Sequence, residues 1–82
     1  MSSTENLNKV IVALKDIESD STVPKNVKAK ITSIIKILED KGEISIKVSK
    51  VLNEIEQISE DVNIPSFTRT QLFQISSMLE VV

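Results

Sequence analysis

The sequence predicts an all-α fold, a four-helix bundle built from two duplicated αα-hairpins. Apolar residues recur at steps of three and four in four separate stretches, which is typical of helices with one buried face. The two prolines and the single glycine lie between those stretches. The second half of the chain also echoes the first at a shift of 41 residues. These observations together predict one helical domain, residues 1–82, with an internal repeat of residues 1–41 and 42–82.

The first helix is predicted from five apolar positions that form one stripe: Leu7, Val10, Ile11, Leu14 and Ile17. Ser2 and Glu5 precede the stripe at the spacing of a capping box, in which each side chain bonds the other residue's backbone N–H. The helix is therefore expected to begin close to Ser2.

A second stripe predicts the next helix: Val27, Ile31, Ile34, Ile35 and Leu38. Thr22 is a good N-cap residue, and proline is tolerated in the first helical turn, so Thr22 and Pro24 predict its start. Gly42 follows the stripe and is expected to end the helix in a left-handed cap.

The third stripe begins after an ambiguous segment: Val48, Val51, Leu52, Ile55 and Ile58. Ile44, Ile46 and Val48 alternate as they would on a half-buried strand. The three-four pattern is nevertheless firm over the ten residues that follow, which favours a helix. Ser45 is then expected to cap this helix and to leave Ile44 outside it.

The fourth stripe runs to the end of the chain: Leu72, Ile75, Met78, Leu79 and Val82. Asn63 and Pro65 predict the start of this helix by the same reasoning as for Thr22 and Pro24. Thr68 and Gln71 offer a competing capping box, which would start the helix later.

The internal repeat is predicted from eight identities in 41 ungapped positions. Two of them, Asp20 with Asp61 and Pro24 with Pro65, lie between helices, where apolar periodicity alone would not align residues. Each half therefore reads as helix, corner, helix. The structural corners are expected at Val23–Pro24 and Ile64–Pro65, with the apolar residue of each pair packed beneath its corner.

Composition excludes several classes of function. The chain has no cysteine and no histidine, so it has no thiolate site, no cysteine nucleophile and no histidine base. One glycine cannot form a phosphate-binding loop, which needs several. We therefore predict no cofactor, no metal site and no catalytic residue.

Charge and hydropathy bear on location and partners. The net charge of −2 lacks the basic excess of typical nucleic-acid-binding domains. No apolar run approaches the roughly 18 residues of a membrane span, and the first ten residues do not resemble a signal peptide. The expectation is a cytoplasmic protein with no membrane contact.

Three segments carry a resemblance: "VPKNVKAK" from Val23, "VSKVLNEI" from Val48, and "IPSFTRTQLF…ISSMLE" from Ile64. With them the chain resembles a family of small archaeal helical proteins known as an uncharacterised protein family (UPF). The resemblance covers nearly the whole chain. It implies a compact four-helix fold in a cytosolic archaeal setting and no known activity. The repeat also loosely resembles a HEAT-type hairpin, as an architectural analogy only.

Basic and polar residues near the corners form one candidate site, an anion contact made by Lys25, Asn26, Lys28 and Arg69. Helix N-termini at Pro24 and Pro65 would add partial positive charge there. The alternative interpretation is a solvated surface on which Lys28 and Arg69 pair with Asp20 and Asp61.

Enzymatic chemistry has little support in the sequence. Asp16 with Asp20, and Glu56 with Glu60, are acidic pairs four residues apart, but each is expected on a solvated helix face. Three hydroxyl groups could be proposed as nucleophiles, those of Thr70, Ser76 and Ser77. Without histidine or cysteine, nothing in their spacing provides activation. We predict that the protein is not an enzyme.

An apolar surplus is the remaining candidate, and its members widen the helix stripes at their edges or extend beyond the core-facing positions: Ile35, Ile37, Phe73, Met78 and Val82. Surplus apolar surface on a small protein often marks a partner or oligomer interface. We therefore predict a non-enzymatic interaction domain that self-associates, with a dimer favoured, or that binds a protein partner. The alternative is an accessory nucleic-acid or ribonucleoprotein factor that uses Lys25, Lys28, Lys30 and Arg69.

Overall fold

A computed structural model describes residues 3–82, with side chains from residue 5 onward, and consists of four α-helices. They are α1 (Ser3–Ser19), α2 (Lys25–Glu39), α3 (Ile44–Ser59) and α4 (Ser66–Glu80). No strand occurs within these residues. The all-α prediction is therefore confirmed, as is the choice of helix over strand from Ile44 to Val48. The predicted capping role of Ser2 lies outside the described residues.

The helices form a closed ring in which each packs against two neighbours: α1 against α2 and α4, and α3 against α2 and α4. The backbones of the diagonal pairs do not approach each other closely across the bundle. Because α1 contacts α4, the two hairpins close into a bundle and do not form an open stack. The bundle measures 33 × 21 × 20 Å.

The core is apolar and draws on every helix and both corners. The stripes supply most of it, because residues at three-four spacing share one helix face. Val23 and Ile64 are 4% and 5% exposed and lie beneath the corners. The other buried apolar residues come from the helices: Val10, Leu14, Ile17, Val27, Ile31, Ile34, Ile35, Leu38, Val51, Ile55, Ile58, Leu72, Ile75 and Leu79.

The starts of α2 and α4 differ from the predicted caps. Pro24 and Pro65 are themselves the N-cap residues, with extended ψ angles of 149° and 150°, and neither helix has a side-chain cap. The prediction of Thr22 and Asn63 as N-caps is wrong, because both lie two residues before the N-cap, in the turns built by Asp20 and Asp61. Thr68 does not start α4 either, since that helix begins two residues earlier.

The connection between α2 and α3 also differs from the prediction. α2 ends at Glu39, and Asp40 leaves the helix in an extended conformation. Gly42 has φ +153°, a conformation that favours glycine, but it lies in the loop and does not cap α2. α3 includes Ile44, and Ser45 lies in its first turn. Lys47 Nζ donates to the Leu38 carbonyl at 3.3 Å and so satisfies the end of α2 instead.

Candidate functional site

The two corners repeat one hydrogen-bond pattern. In residues 20–24, hereafter the first corner, Thr22 N–H donates to Asp20 Oδ1 at 2.9 Å and Val23 N–H donates to the Asp20 carbonyl at 3.2 Å. Residues 60–65, the second corner, repeat these bonds from Asn63 and Ile64 to Asp61, at 2.8 and 3.5 Å. An aspartate that accepts the N–H two residues later builds its own turn, which is why both corners need one.

The four predicted anion-contact residues are Lys25, Asn26, Lys28 and Arg69, and they lie at the corner end of the bundle. Consecutive helices run antiparallel, so both corners fall at the same end. Acidic groups share this end, because Asn26 Nδ2 donates to Asp61 Oδ2 at 3.4 Å. The end therefore mixes both signs of charge and does not form a cationic patch.

Arg69 binds main-chain carbonyls and not the Asp61 carboxylate. Its Nε donates to the Ser59 carbonyl at 3.3 Å and its Nη2 donates to the Asp61 carbonyl at 3.0 Å. Ser59 is the last residue of α3, so its carbonyl has no helical partner, and a cation there satisfies it and complements the helix dipole. These bonds differ from the Arg69–Asp61 carboxylate pair of the alternative interpretation.

Asp20 has a local partner that Asp61 lacks. Thr22 Oγ1 donates to Asp20 Oδ1 at 2.7 Å, in addition to the bond from Thr22 N–H. These two bonds lower the pKa of Asp20 below its ordinary value, with a smaller contribution from the positive charge of Lys28. The carboxylate is therefore held ionised as a structural acceptor, which differs from the protonatable state that acid catalysis needs.

The five predicted partner-surface residues have separate fates. Ile35 is 6% exposed and belongs to the core, so it cannot contact a partner. Ile37, Met78 and Val82 are half-buried and pack on the core. Phe73 is 74% exposed. Of these five residues, only Phe73 therefore presents most of its side chain to solvent.

An open groove of about 350 Å³, hereafter the α3–α4 groove, runs beside Phe73. Each helix contributes four lining residues: Leu52, Ile55, Glu56 and Ser59 from α3, and Arg69, Phe73, Ser76 and Glu80 from α4. Most of the lining surface is apolar, and three charged side chains also contribute to it: Glu56, Arg69 and Glu80. Such a surface suits an apolar side chain or helix better than a small polar substrate.

The corresponding contact between α1 and α2 is built differently. At a shift of 41 residues, Ser76 corresponds to Ile35 and Phe73 to Thr32. Ile35 fills the α1–α2 contact from the core side, and Thr32 Oγ1 donates to Glu18 Oε2 across it. In the second hairpin a short serine stands at the position of the isoleucine, and the aromatic ring is exposed. Both residues line the α3–α4 groove.

Sequence reasoning missed three features of α4. Phe67 is 68% exposed although it lies in the first turn of α4, next to the second corner. Thr68 is fully buried, and its Oγ1 lacks a hydrogen-bond partner, as does Gln71 Oε1. The shift of 41 offered a signal for two of these features, since it places Thr68 on Val27 and Phe67 on Asn26.

The described residues provide little for catalysis. No group of three or more acidic side chains between residues 3 and 82 could hold a metal ion. Thr70 and Ser77 donate their hydroxyls to carbonyls four residues earlier, each at 3.2 Å. Ser76 lies in the groove wall. In the same part of the chain, no helix is long and apolar enough to cross a membrane.

Comparison with known proteins shows the family. The model of the uncharacterised protein family UPF0147 matches residues 1–82, and the chain belongs to that family. A UPF0147 protein of Methanosarcina mazei is 33% identical over 81 residues, which cover 98% of this chain and 87% of that protein. A UPF0147 protein of Thermoplasma volcanium is 35% identical over 82 residues, covering 98% and 92%. The family resemblance seen in the sequence is thereby confirmed.

Two crystal structures share the fold. That of the unknown-function protein MMP1188 has a TM-score of 0.92 and 32% identity, and the match covers 99% of this chain and 93% of that one. That of a UPF0147 protein from Thermoplasma acidophilum has a TM-score of 0.89 and 30% identity, covering 95% and 93%. The four-helix arrangement is therefore common to these proteins.

Proposed function

We propose that this member of the UPF0147 family is a non-enzymatic interaction domain that self-associates through the α3–α4 groove. One observation carries the proposal: an aromatic ring that is 74% exposed lies beside an open groove with apolar walls. Complete burial of a phenylalanine side chain contributes about 1.5–3 kcal/mol of free energy. A partner that covers Phe73 would therefore gain part of this free energy on binding.

The distribution of exposed apolar residues supports the same proposal. Single exposed apolar residues are normal on protein surfaces and need no partner. Among the described side chains, however, the first hairpin exposes only one large apolar residue, Val12. The second hairpin exposes six: Ile44, Ile46, Val62, Phe67, Phe73 and Val81. This imbalance favours an interface on the second hairpin over random scatter.

The proposal includes an internal duplication, in which the two hairpins descend from one repeated unit. Equivalent hydrogen bonds at the two corners support an origin from one repeated hairpin. In that account the first hairpin kept a filled contact, and the second acquired an open one. Interaction is then a property of the second hairpin alone.

A concentration series tests the proposal. Sedimentation equilibrium of the wild-type chain should give a mass that rises from 9.1 kDa toward twice that value. Phe73→Ser should shift the transition to at least tenfold higher concentration, because the exposed ring is removed. Val12→Ser is the matched control, since Val12 is 61% exposed but lies on α1. A strict monomer at high micromolar concentration would overturn the proposal.

A nucleic-acid role stays the alternative. Lys25 and Lys30 are exposed near the start of α2. Asp20 and Asp61 lie at the same end of the bundle and would repel a phosphate backbone. Two N–H groups of Arg69 are already bonded. These features make nucleic-acid binding a weaker proposal than self-association. Fluorescence anisotropy with labelled RNA at low salt checks it, because backbone-driven binding weakens steeply as salt rises.

A further inference from the structure

The α4 wall of the groove carries an ordered set of four side chains, hereafter the α4 stripe: Arg69, Phe73, Ser76 and Glu80. At 100° per residue these positions fall within an arc of about 60°, so they form a straight line along one face. The order along the helix is cation, large ring, small hydroxyl, anion. Arg69, Phe73 and Glu80 are exposed, and Ser76 is half-buried.

The stripe is complementary to itself when reversed. Its midpoint lies between Gln74 and Ile75, and Arg69 and Glu80 are equally distant from it. Phe73 and Ser76 are also equally distant from that midpoint. A second α4 in the antiparallel direction would therefore set each cation against an anion and each ring against a serine. Such matching of a surface with its own copy is the requirement of a two-fold dimer interface.

We infer that two copies of this chain pair through antiparallel α4 helices, with Phe73 of each copy packed over Ser76 of the other and Arg69 facing Glu80. This inference rests on the proposed self-association and specifies its geometry. The occupant of the α3–α4 groove is thus a second copy of the same chain.

Size complementarity supports this pairing. Packed helices approach to about 8–10 Å between axes, and a large side chain on one helix then needs a small one opposite. Ser76 provides that space because its side chain is short. The corresponding position in the first hairpin holds the larger Ile35. Leu52 on α3, which is half-buried, supplies apolar wall that the ring would meet.

Charge complementarity supports the direction. The bonds of Arg69 to the Ser59 and Asp61 carbonyls use two of its five N–H groups and hold the guanidinium at the corner end of the groove. Glu80 lies at the opposite end of α4. A parallel pair would place like charges together, which disfavours that arrangement and selects the antiparallel one.

Charge exchange tests the geometry. Arg69→Glu and Glu80→Arg should each weaken dimerisation at least tenfold, because each homodimer contains two like-charge contacts. An equimolar mixture of the two variants should form a heterodimer with nearly wild-type affinity, since both contacts become opposite in charge. Sedimentation equilibrium at low salt measures these effects, because exposed charges are screened at high salt.

Matched controls come from the first hairpin. Lys28→Glu and Glu39→Arg make the same charge changes at the corresponding positions, and they should leave the dissociation constant within about twofold. Mixing the Arg69→Glu and Glu80→Arg variants without recovery of the dimer would overturn the antiparallel pairing. Dimerisation that depends on Phe73 would in that case still support the proposed function, so the two failures are distinguishable.

Cross-linking tests the pairing without the Arg69 substitution, which removes two bonds that stabilise the fold. The chain contains no cysteine, so introduced thiols have no background. Oxidation of mixed Phe73→Cys and Ser76→Cys chains should join the two variants, because antiparallel pairing brings these positions within disulfide range. Predominant homodimers of either variant would instead indicate another arrangement and overturn the inference.

Discussion

The two hairpins share one corner but differ in how their helices meet. Each corner uses an aspartate, an apolar residue beneath the turn and a proline at the helix start, with equivalent hydrogen bonds. The α1–α2 contact is filled by Ile35, whereas the α3–α4 contact holds Ser76 and stays open. Backbone geometry at a corner is thus maintained by a few local residues, while the surface beside it differs with the side chains of the helix that follows.

The largest expected effect comes from opening the first hairpin. Ile35→Ala should lower the free energy of unfolding by about 2–5 kcal/mol, because it removes buried methyl groups and leaves a cavity. Urea denaturation followed by circular dichroism measures this effect.

Ser76→Ala is the matched control for that measurement. It should change the free energy of unfolding by about 0.5 kcal/mol or less, since Ser76 fills little space in its helix contact. Equal losses from the two variants would contradict the distinction between a filled and an open contact.

Closing the second hairpin is the converse change. Ser76→Ile gives α4 the residue of the first hairpin and should raise the dissociation constant of the dimer at least tenfold, because the space opposite Phe73 is lost. Sedimentation equilibrium measures it. The monomer should keep its wild-type helicity, and an unchanged dissociation constant would contradict the role of Ser76.

A smaller effect is expected where the hairpins differ within the core. Thr68→Val places the residue type of Val27 at the matching position and removes a buried hydroxyl that has no partner. The free energy of unfolding should rise by about 1 kcal/mol, since an unsatisfied buried polar group costs about 1–3 kcal/mol. Thermal and urea unfolding check this, and a loss of stability would indicate that Thr68 has a bonding role.

The smallest effect concerns the first corner and depends on pH. Thr22→Asn gives this corner the residue of the second and removes the hydroxyl that bonds Asp20. The pKa of Asp20 should rise toward its ordinary value, which NMR titration of the carboxyl carbon measures. Because the pKa is lowered by folding, the contribution to stability is present above the unfolded pKa and is lost as pH falls through the folded one.

That sign sets the expected pH profile. The wild type should be more stable than Thr22→Asn at pH values above about 4 and should lose this advantage in stronger acid. Thr22→Ser is the control, since it keeps a hydroxyl donor. A difference between wild type and Thr22→Asn that persists unchanged at low pH would contradict the role of the hydroxyl.

Local features of the sequence determined the four helices and the positions of the corners. Apolar residues at three-four spacing are buried wherever a helix packs, so the stripes identified most of the core. The aspartate and proline of each corner act within a few residues, and their echo at a shift of 41 was visible without the fold. The caps were predicted wrongly because Thr22 and Asn63 belong to the turns built by Asp20 and Asp61, two residues before each N-cap. Only the turn geometry shows that each backbone N–H bonds the aspartate.

Tertiary structure decided which side chains remain available. Ile35 lies at the edge of its apolar stripe and Phe73 lies next to its own, and only the pairing of helices buries the first and exposes the second. Arg69 has a carboxylate and two carbonyls within its local sequence range, and the end of α3 determines that it binds the carbonyls. Packing of α4 into the bundle buries Thr68, which the sequence had offered as a cap. These outcomes depend on what lies opposite a residue in space, and residue spacing along one chain does not contain that information.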